Sequence, residues 1–155
     1  KKPSRILVCS MADLFGDWND PMMIRTILGE RKRNPQHTFL FLTKNPRRYQ
    51  KFKFSENCWL GATITGNETY ELPTNKKTFL SIEPLLTEPK GLWLNSLINW
   101  IIIGGLTPHP VHNKEWIGNI LKEADRLKIP VFMKDNLKPY WDGEWRKELP
   151  KEDNP

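Results

Sequence analysis

Long hydrophobic runs are missing from this chain. No stretch approaches the ~20 apolar residues that cross a bilayer, and the first ten residues enter a strand-like pattern instead of an apolar targeting segment with a cleavage site. The expectation is a cytoplasmic protein with no membrane partner. Cysteine is scarce as well. Cys9 and Cys58 are separated by a spacing that matches no metal-ligand motif, and each falls in an apparent strand, as a small buried hydrophobe would. A Walker loop, a CxxC pair and a Ser-His-Asp order are all absent, which removes P-loop NTPase, zinc-ribbon and serine-hydrolase readings. His109 and His112 stand in a Pro-rich loop with no rigid element to present them, so they make a poor metal site.

Acidic excess is lacking too. The chain has 24 Lys and Arg against 18 Asp and Glu, a net charge of +6 that is compatible with a nucleic-acid partner. Its basic clusters, Arg31-Lys32-Arg33 and Arg47-Arg48, fall near expected helix ends, where cations are favoured or simply solvated. With 155 residues the chain is too short for a complete eight-stranded barrel of about 250 residues.

What is present is a series of short apolar strands. Residues 98–105 read INWIIIGG, a run with no polar face that stops at two glycines, so it is expected to be a strand buried on both sides. Such a strand belongs to a parallel sheet covered by helices. Further strands are expected at residues 5–11, 38–42, 58–64, 78–82 and 130–133. Asp20-Pro21 starts a helix carrying Met23, Ile24, Ile27 and Leu28 at helical spacing, and Asn45-Pro46 repeats the device before a short helix with Tyr49 and Phe52 inside. Asn113 caps a helix over residues 114–128, with Trp116, Ile117, Ile120, Leu121, Ala124 and Leu127 as its apolar stripe. Only about a dozen residues separate the third and fourth strands, too few for an ordinary helix and its turns. The fold class read from this order is α/β: a parallel (β/α) barrel or partial TIM-like barrel of about six strands over residues 1–138. Residues 139–155 form a C-terminal cap or tail that frays.

In parallel α/β folds, ligands meet the C-terminal ends of the strands. The polar residues there are Asp13, Lys44, Asn67, Glu83, Gly104, Gly105 and Lys134. Glu83 follows its strand directly and suits an amine, a hydroxyl or a metal; it reads equally as half of a structural ion pair with Lys44 or Lys134. Both lysines suit a carboxylate or phosphate, or plain salt bridges at the rim. Gly104-Gly105 permits close backbone approach to a ligand, or serves only as a turn. Asp13 also reads as a turn former before Phe15.

Six segments in order, CSMADLFGDW, NPQHTFLFLTKNPRR, NCWLGATITGNE, FLSIEPLL, INWIIIGG and IPVFMKDN, resemble the C-terminal two thirds of a phage and prophage protein family of uncharacterised function related to the radical-SAM enzymes. The resemblance covers residues 5–136. It implies a radical-SAM-type barrel whose intact form binds S-adenosylmethionine, with a [4Fe-4S] cluster held by an upstream cysteine triad. Neither Cys9 nor Cys58 matches that triad. By the same resemblance Asp13, Lys44, Asn67, Glu83, Gly104, Gly105 and Lys134 would face S-adenosylmethionine or substrate. The stretch after residue 64 and the loop LTPHPVHNK are shorter than in the family, so the chain is expected to be an ordered fragment, or a splice of ordered segments, of a longer protein. Two functions stay open: a radical-SAM-type enzyme if the cysteine motif lies upstream, and a non-catalytic phage accessory protein that binds nucleic acid or a host protein.

Overall fold

Asp20 and Pro21 start the first helix as expected. The Asp20 carboxylate accepts from the Met22 amide at 2.8 Å, and proline at the first helical position gives up no hydrogen bond. The computed structural model describes residues 2–66, 68–88, 97–106 and 113–150. The chain divides into two compact units, Lys1–Thr63 with Tyr70–Thr78 and Ile64–Thr69 with Phe79–Pro155.

The first unit is built on β1 (Arg5–Val8), α1 (Pro21–Arg33), β2 (Thr38–Thr43) and β3 (Cys58–Ile64). β1 runs parallel to β2 with Leu7 opposite Leu40, and β2 runs parallel to β3 with Phe41 opposite Leu60. Ile24 and Leu28 of α1 are buried in a core that also holds Phe15, Phe39, Phe41 and Tyr49. The Phe15 ring lies 4.7 Å from that of Tyr49 and 6.0 Å from that of Phe41, with Phe52 and Phe54 edge-on or tilted around it. The Tyr49 hydroxyl lies 2.9 Å from both the Phe41 and Gly61 carbonyl oxygens, and burial pushes its pKa well above the ordinary phenol value.

The second unit holds most of β4 (Lys77–Ile82), then β5 (Trp100–Ile103), α2 (Lys114–Leu127) and β6 (Val131–Met133). β4 and β6 both run parallel to β5, with Leu80 and Val131 each opposite Ile101. The INWIIIGG run is a buried central strand, as its composition required: Trp100, Ile101 and Ile103 are buried, and only Ile102 is partly open. Asn113 caps α2 through the Glu115 amide at 2.9 Å, and Ile117, Ile120, Leu121 and Ala124 form its buried stripe. The strands follow one another in chain order, run parallel within each unit and are joined by α1 and α2 as crossover helices, which is the expected α/β class.

Four local expectations are corrected. The first strand stops at Val8, because Cys9 turns the backbone to a φ of 56°; its thiol is exposed, whereas Cys58 is buried in β3. Asn45 caps nothing. Residues Pro46–Lys51 form a 3-10 turn, and Asn45 Nδ2 donates instead to the Phe15 carbonyl at 3.3 Å and Asp17 Oδ1 at 3.0 Å. Arg31 and Arg48 are not solvated helix-end cations. They are only 4% and 6% exposed, and their guanidinium groups donate to backbone carbonyls, with Ser55 Oγ as one further acceptor. The tail does more than fray. Beyond a 3-10 turn at Asp135–Tyr140, its residues 146–148 pair antiparallel with β6, the Met133 amide donating to the Arg146 carbonyl at 2.9 Å and the Glu148 amide to the Val131 carbonyl at 3.0 Å. Among the described residues no helix lies between β3 and β4, and none is long and apolar enough to cross a membrane.

Candidate functional site at the strand ends

In the second unit, β4, β5 and β6 stop within a few residues of one another in register, and their hydrogen bonding continues past the strands. The Glu83 amide donates to the Ile64 carbonyl at 3.2 Å, the Gly104 amide to Ile82 at 3.1 Å, and the Lys134 amide to Ile103 at 2.9 Å. These bonds fix where the side chains of the strand ends start. Glu83 meets Lys134, not Lys44: Nζ lies 2.5 Å from Oε2. The pair is half open, with 26% of the Glu83 side chain and 45% of the Lys134 side chain exposed. An ion pair this wet adds at most about 1 kcal/mol to stability, so a ligand can replace either partner at small cost.

Gly104 explains itself through the same carboxylate. A Cβ on Gly104 would sit 2.7 Å from Glu83 Oε1 and 2.8 Å from its carboxyl carbon, so the close approach that glycine permits here is that of Glu83. Gly105 is engaged differently. Its amide donates to Asn136 Oδ1 at 3.2 Å, and its carbonyl accepts from Asn136 Nδ2 at 2.8 Å. This reciprocal amide pair ties the end of β5 to the segment after β6. Glu83, Lys134, Gly104, Gly105 and Asn136 therefore make one polar cluster with a carboxylate and an ammonium side by side.

The first unit carries a separate cluster. Asp13 is a turn former, since its Oδ1 accepts from the Phe15 amide at 3.0 Å, and it also reaches the end of β2, where Oδ2 accepts from the Lys44 amide at 2.8 Å. A cavity of about 620 Å³ opens beside them, lined in part by Cys9, Ser10, Trp18, Thr43 and Thr63. Both carboxylate oxygens of Asp13 are bound to backbone amides, which suits it to shaping the loop, while Lys44 is exposed and lines the same cavity.

Asn67 lies outside the described residues, as do His109 and His112. Beside Asn67, Glu68 closes the end of β3. Burial pushes its carboxyl upward, but hydrogen bonds from the Thr65 hydroxyl and from the Thr65 and Gly66 amides outweigh that and hold it below the usual carboxylate range. Sequence reasoning passed over Asn136 and Glu68, although each stands in a quoted motif, FMKDN and TGNE. The available signal was position: each is a polar residue three or four places beyond a strand end. Among the described residues no group of three His, Cys, Asp or Glu could hold a metal ion.

Neither a curated protein nor a solved structure matches the chain. The family model described as a protein of unknown function (DUF5131) matches residues 1–152, and the chain belongs to that family.

Proposed function

We propose that the strand ends of the second unit take the amino-acid end of S-adenosylmethionine, as the ligand-binding part of a radical-SAM-type barrel enzyme. One observation carries the reading: Glu83 and Lys134 put a carboxylate and an ammonium 2.5 Å apart over a glycine, the mirror image of a zwitterionic amino acid. Glu83 would accept hydrogen bonds from the ligand's ammonium group, and Lys134 would turn to its carboxylate. Gly104 leaves the side chain of Glu83 room to lie flat against the backbone, and the Gly105–Asn136 amide pair holds the floor of the cluster in place. When bound, S-adenosylmethionine supplies the activated sulfonium; the chain's own residues bind and orient. The ordered motifs that resemble the phage and prophage family support the same reading.

An iron–sulfur cluster does not fit the described residues. Cys58 is buried, its thiol pushed up by that burial and so kept protonated, and the exposed Cys9 has no second thiolate beside it among the described residues. In this reading the cluster would be held by thiolates other than Cys9 and Cys58.

Isothermal titration calorimetry with S-adenosylmethionine tests the site. Binding that weakens about tenfold or more in Glu83→Gln and in Lys134→Ala, with melting nearly unchanged, is the expected result, because each variant loses one charge-assisted hydrogen bond to the ligand. Absence of binding by the unmodified chain, or equal binding by Glu83→Gln, overturns it.

A further inference from the structure

Charge is divided unevenly between the two units. Read along the sequence, the first unit carries 14 Lys and Arg against 6 Asp and Glu, and the second carries 10 against 12, so the whole net positive charge belongs to the first. Within that unit the acids are already engaged. Glu30 holds Arg33, Glu56 holds Lys76, Glu71 lies 3.7 Å from Arg47, Asp20 caps α1, and Asp13 and Asp17 bind Lys44 and Asn45.

Five of the unit's cations line one groove. A cavity of about 590 Å³ lies between α1 and the chain just after the 3-10 turn, and five of its ten lining residues are cationic while none is acidic: Arg25, Arg31, Lys32, Lys51 and Lys53. Among the described residues no carboxylate pairs with any of them. Arg25, Lys32, Lys51 and Lys53 are exposed. Arg31 sits behind them, and every acceptor it meets is neutral: the Leu28 carbonyl at 2.6 Å, Ser55 Oγ at 2.9 Å and the Lys53 carbonyl. Its charge is hydrogen-bonded but not neutralised. Buried in a medium of low polarisability, it projects a positive field into the groove that exposed lysines alone would not sustain.

We infer that this groove binds the phosphate backbone of a nucleic-acid strand without reading its bases. Independent of the reading given for the second unit, it rests on the shape and sign of the site. The aromatic rings in the groove do not serve as stacking platforms, because Arg25 lies over Phe52 at 5.8 Å and Arg31 over Phe54 at 5.6 Å. What remains accessible is four exposed cations around a buried one, in a concave lining. A strand of phosphates enters such a groove, whereas a flat lipid surface meets only its rim.

Fluorescence anisotropy with a labelled single-stranded oligonucleotide tests the inference on the intact chain. Four phosphate contacts give a slope of log affinity against log salt of about −3, hence a fall of roughly 50-fold between about 50 mM and 200 mM salt. The triple variant K32E/K51E/K53E changes only exposed side chains and is expected to lose at least tenfold in affinity and to flatten the slope, with its circular dichroism unchanged. Glu83→Gln, in the second unit, is expected to bind the oligonucleotide like the unmodified chain, so this result and the S-adenosylmethionine result fail separately. No binding at low salt, equal binding by the triple variant, or tighter binding to acidic lipid vesicles than to the oligonucleotide overturns the inference.

Discussion

Along β6, a second stretch of chain lies antiparallel and covers the backbone; along β1, no described residue pairs beyond β2. The two strands are alike in composition, RILV and VFM, yet Val131 and Met133 are fully buried while Ile6 is 36% and Leu7 46% exposed. Successive residues of a strand point to opposite faces, so the exposure of both Ile6 and Leu7 means that β1 is open on both sides. β6 owes its burial to particular bonds. Glu148 alone makes three: its amide to the Val131 carbonyl, its carboxylate accepting from the Val131 amide at 2.7 Å, and its carbonyl accepting from Trp100 Nε1 at 3.0 Å. An edge strand is protected by what lies next to it, not by its own sequence.

The largest break in this comparison comes from Glu148→Pro. Proline has no amide hydrogen and this variant has no carboxylate, so both the Val131 carbonyl and the Val131 amide lose their partners. The expected cost is roughly 2–4 kcal/mol, since each buried group left unsatisfied costs about 1–3 kcal/mol. Thermal unfolding followed by circular dichroism reads the total. Hydrogen exchange at Val131 and Met133 locates it, and both amides are expected to lose protection to the level of a free edge. Unchanged exchange there would mean that the tail does not cover β6 in solution.

Strands and helix starts were legible in the sequence because single residues decide them. Asp20-Pro21 and Asn113 each supply an acceptor at the one position where a helix start needs it, and the three isoleucines of β5 mark a strand that is buried at every residue but Ile102. The tail was not legible in the same way. GEWRKEL has neither alternation nor β-branched residues, and its pairing with β6 depends on one glutamate meeting one amide across 17 residues. Asn45 misled for a related reason: Asn-Pro looks like a cap and first turn, but the side-chain amide found better acceptors in Phe15 and Asp17, some 30 residues away. Of the strand-end residues, Glu83, Gly104 and Lys134 come together because parallel register brings the ends of consecutive strands level, which the chain order already implies. That Lys134 and not Lys44 takes Glu83 depends on side-chain reach in three dimensions, and so does the part played by Asn136.

A smaller effect sharpens the covered side. Arg146 clamps the tail to α2 through two bonds to Asp125, at 2.5 Å and 2.9 Å. Hydrogen bonding by Arg146 holds the Asp125 carboxyl below its ordinary value, against the opposing effect of desolvation. A carboxyl with a depressed folded value contributes stability that is fully present above its unfolded value and is lost as pH falls through the folded one. The clamp is therefore intact at neutral pH and opens only under acid, below the ordinary carboxyl range near pH 4. Because Asp125 is more than half exposed, Asp125→Asn is expected to cost at most about 1 kcal/mol at neutral pH. Proteolysis of the tail as a function of pH checks this. Cleavage should rise in acid for the unmodified chain and be high and flat in Asp125→Asn; parallel pH profiles would mean that another group governs the release.

The smallest effect belongs to the open side, and its smallness is the point. Leu7→Lys places a charge where Leu7 is already 46% exposed, opposite Leu40 on β2. Surface changes of this kind usually stay within about 0.5 kcal/mol, and a lysine on a free edge opposes pairing with another chain. Melting is expected to be nearly unchanged, while sedimentation at high protein concentration should show less self-association than the unmodified chain. A loss above about 1.5 kcal/mol would contradict the exposure itself, because a lysine can be that costly only where something covers the leucine. The contrast with Glu148→Pro then measures what the tail does for β6: the same kind of edge tolerates a charge where it is bare and is destabilised where it loses the amide and the carboxylate that pair it.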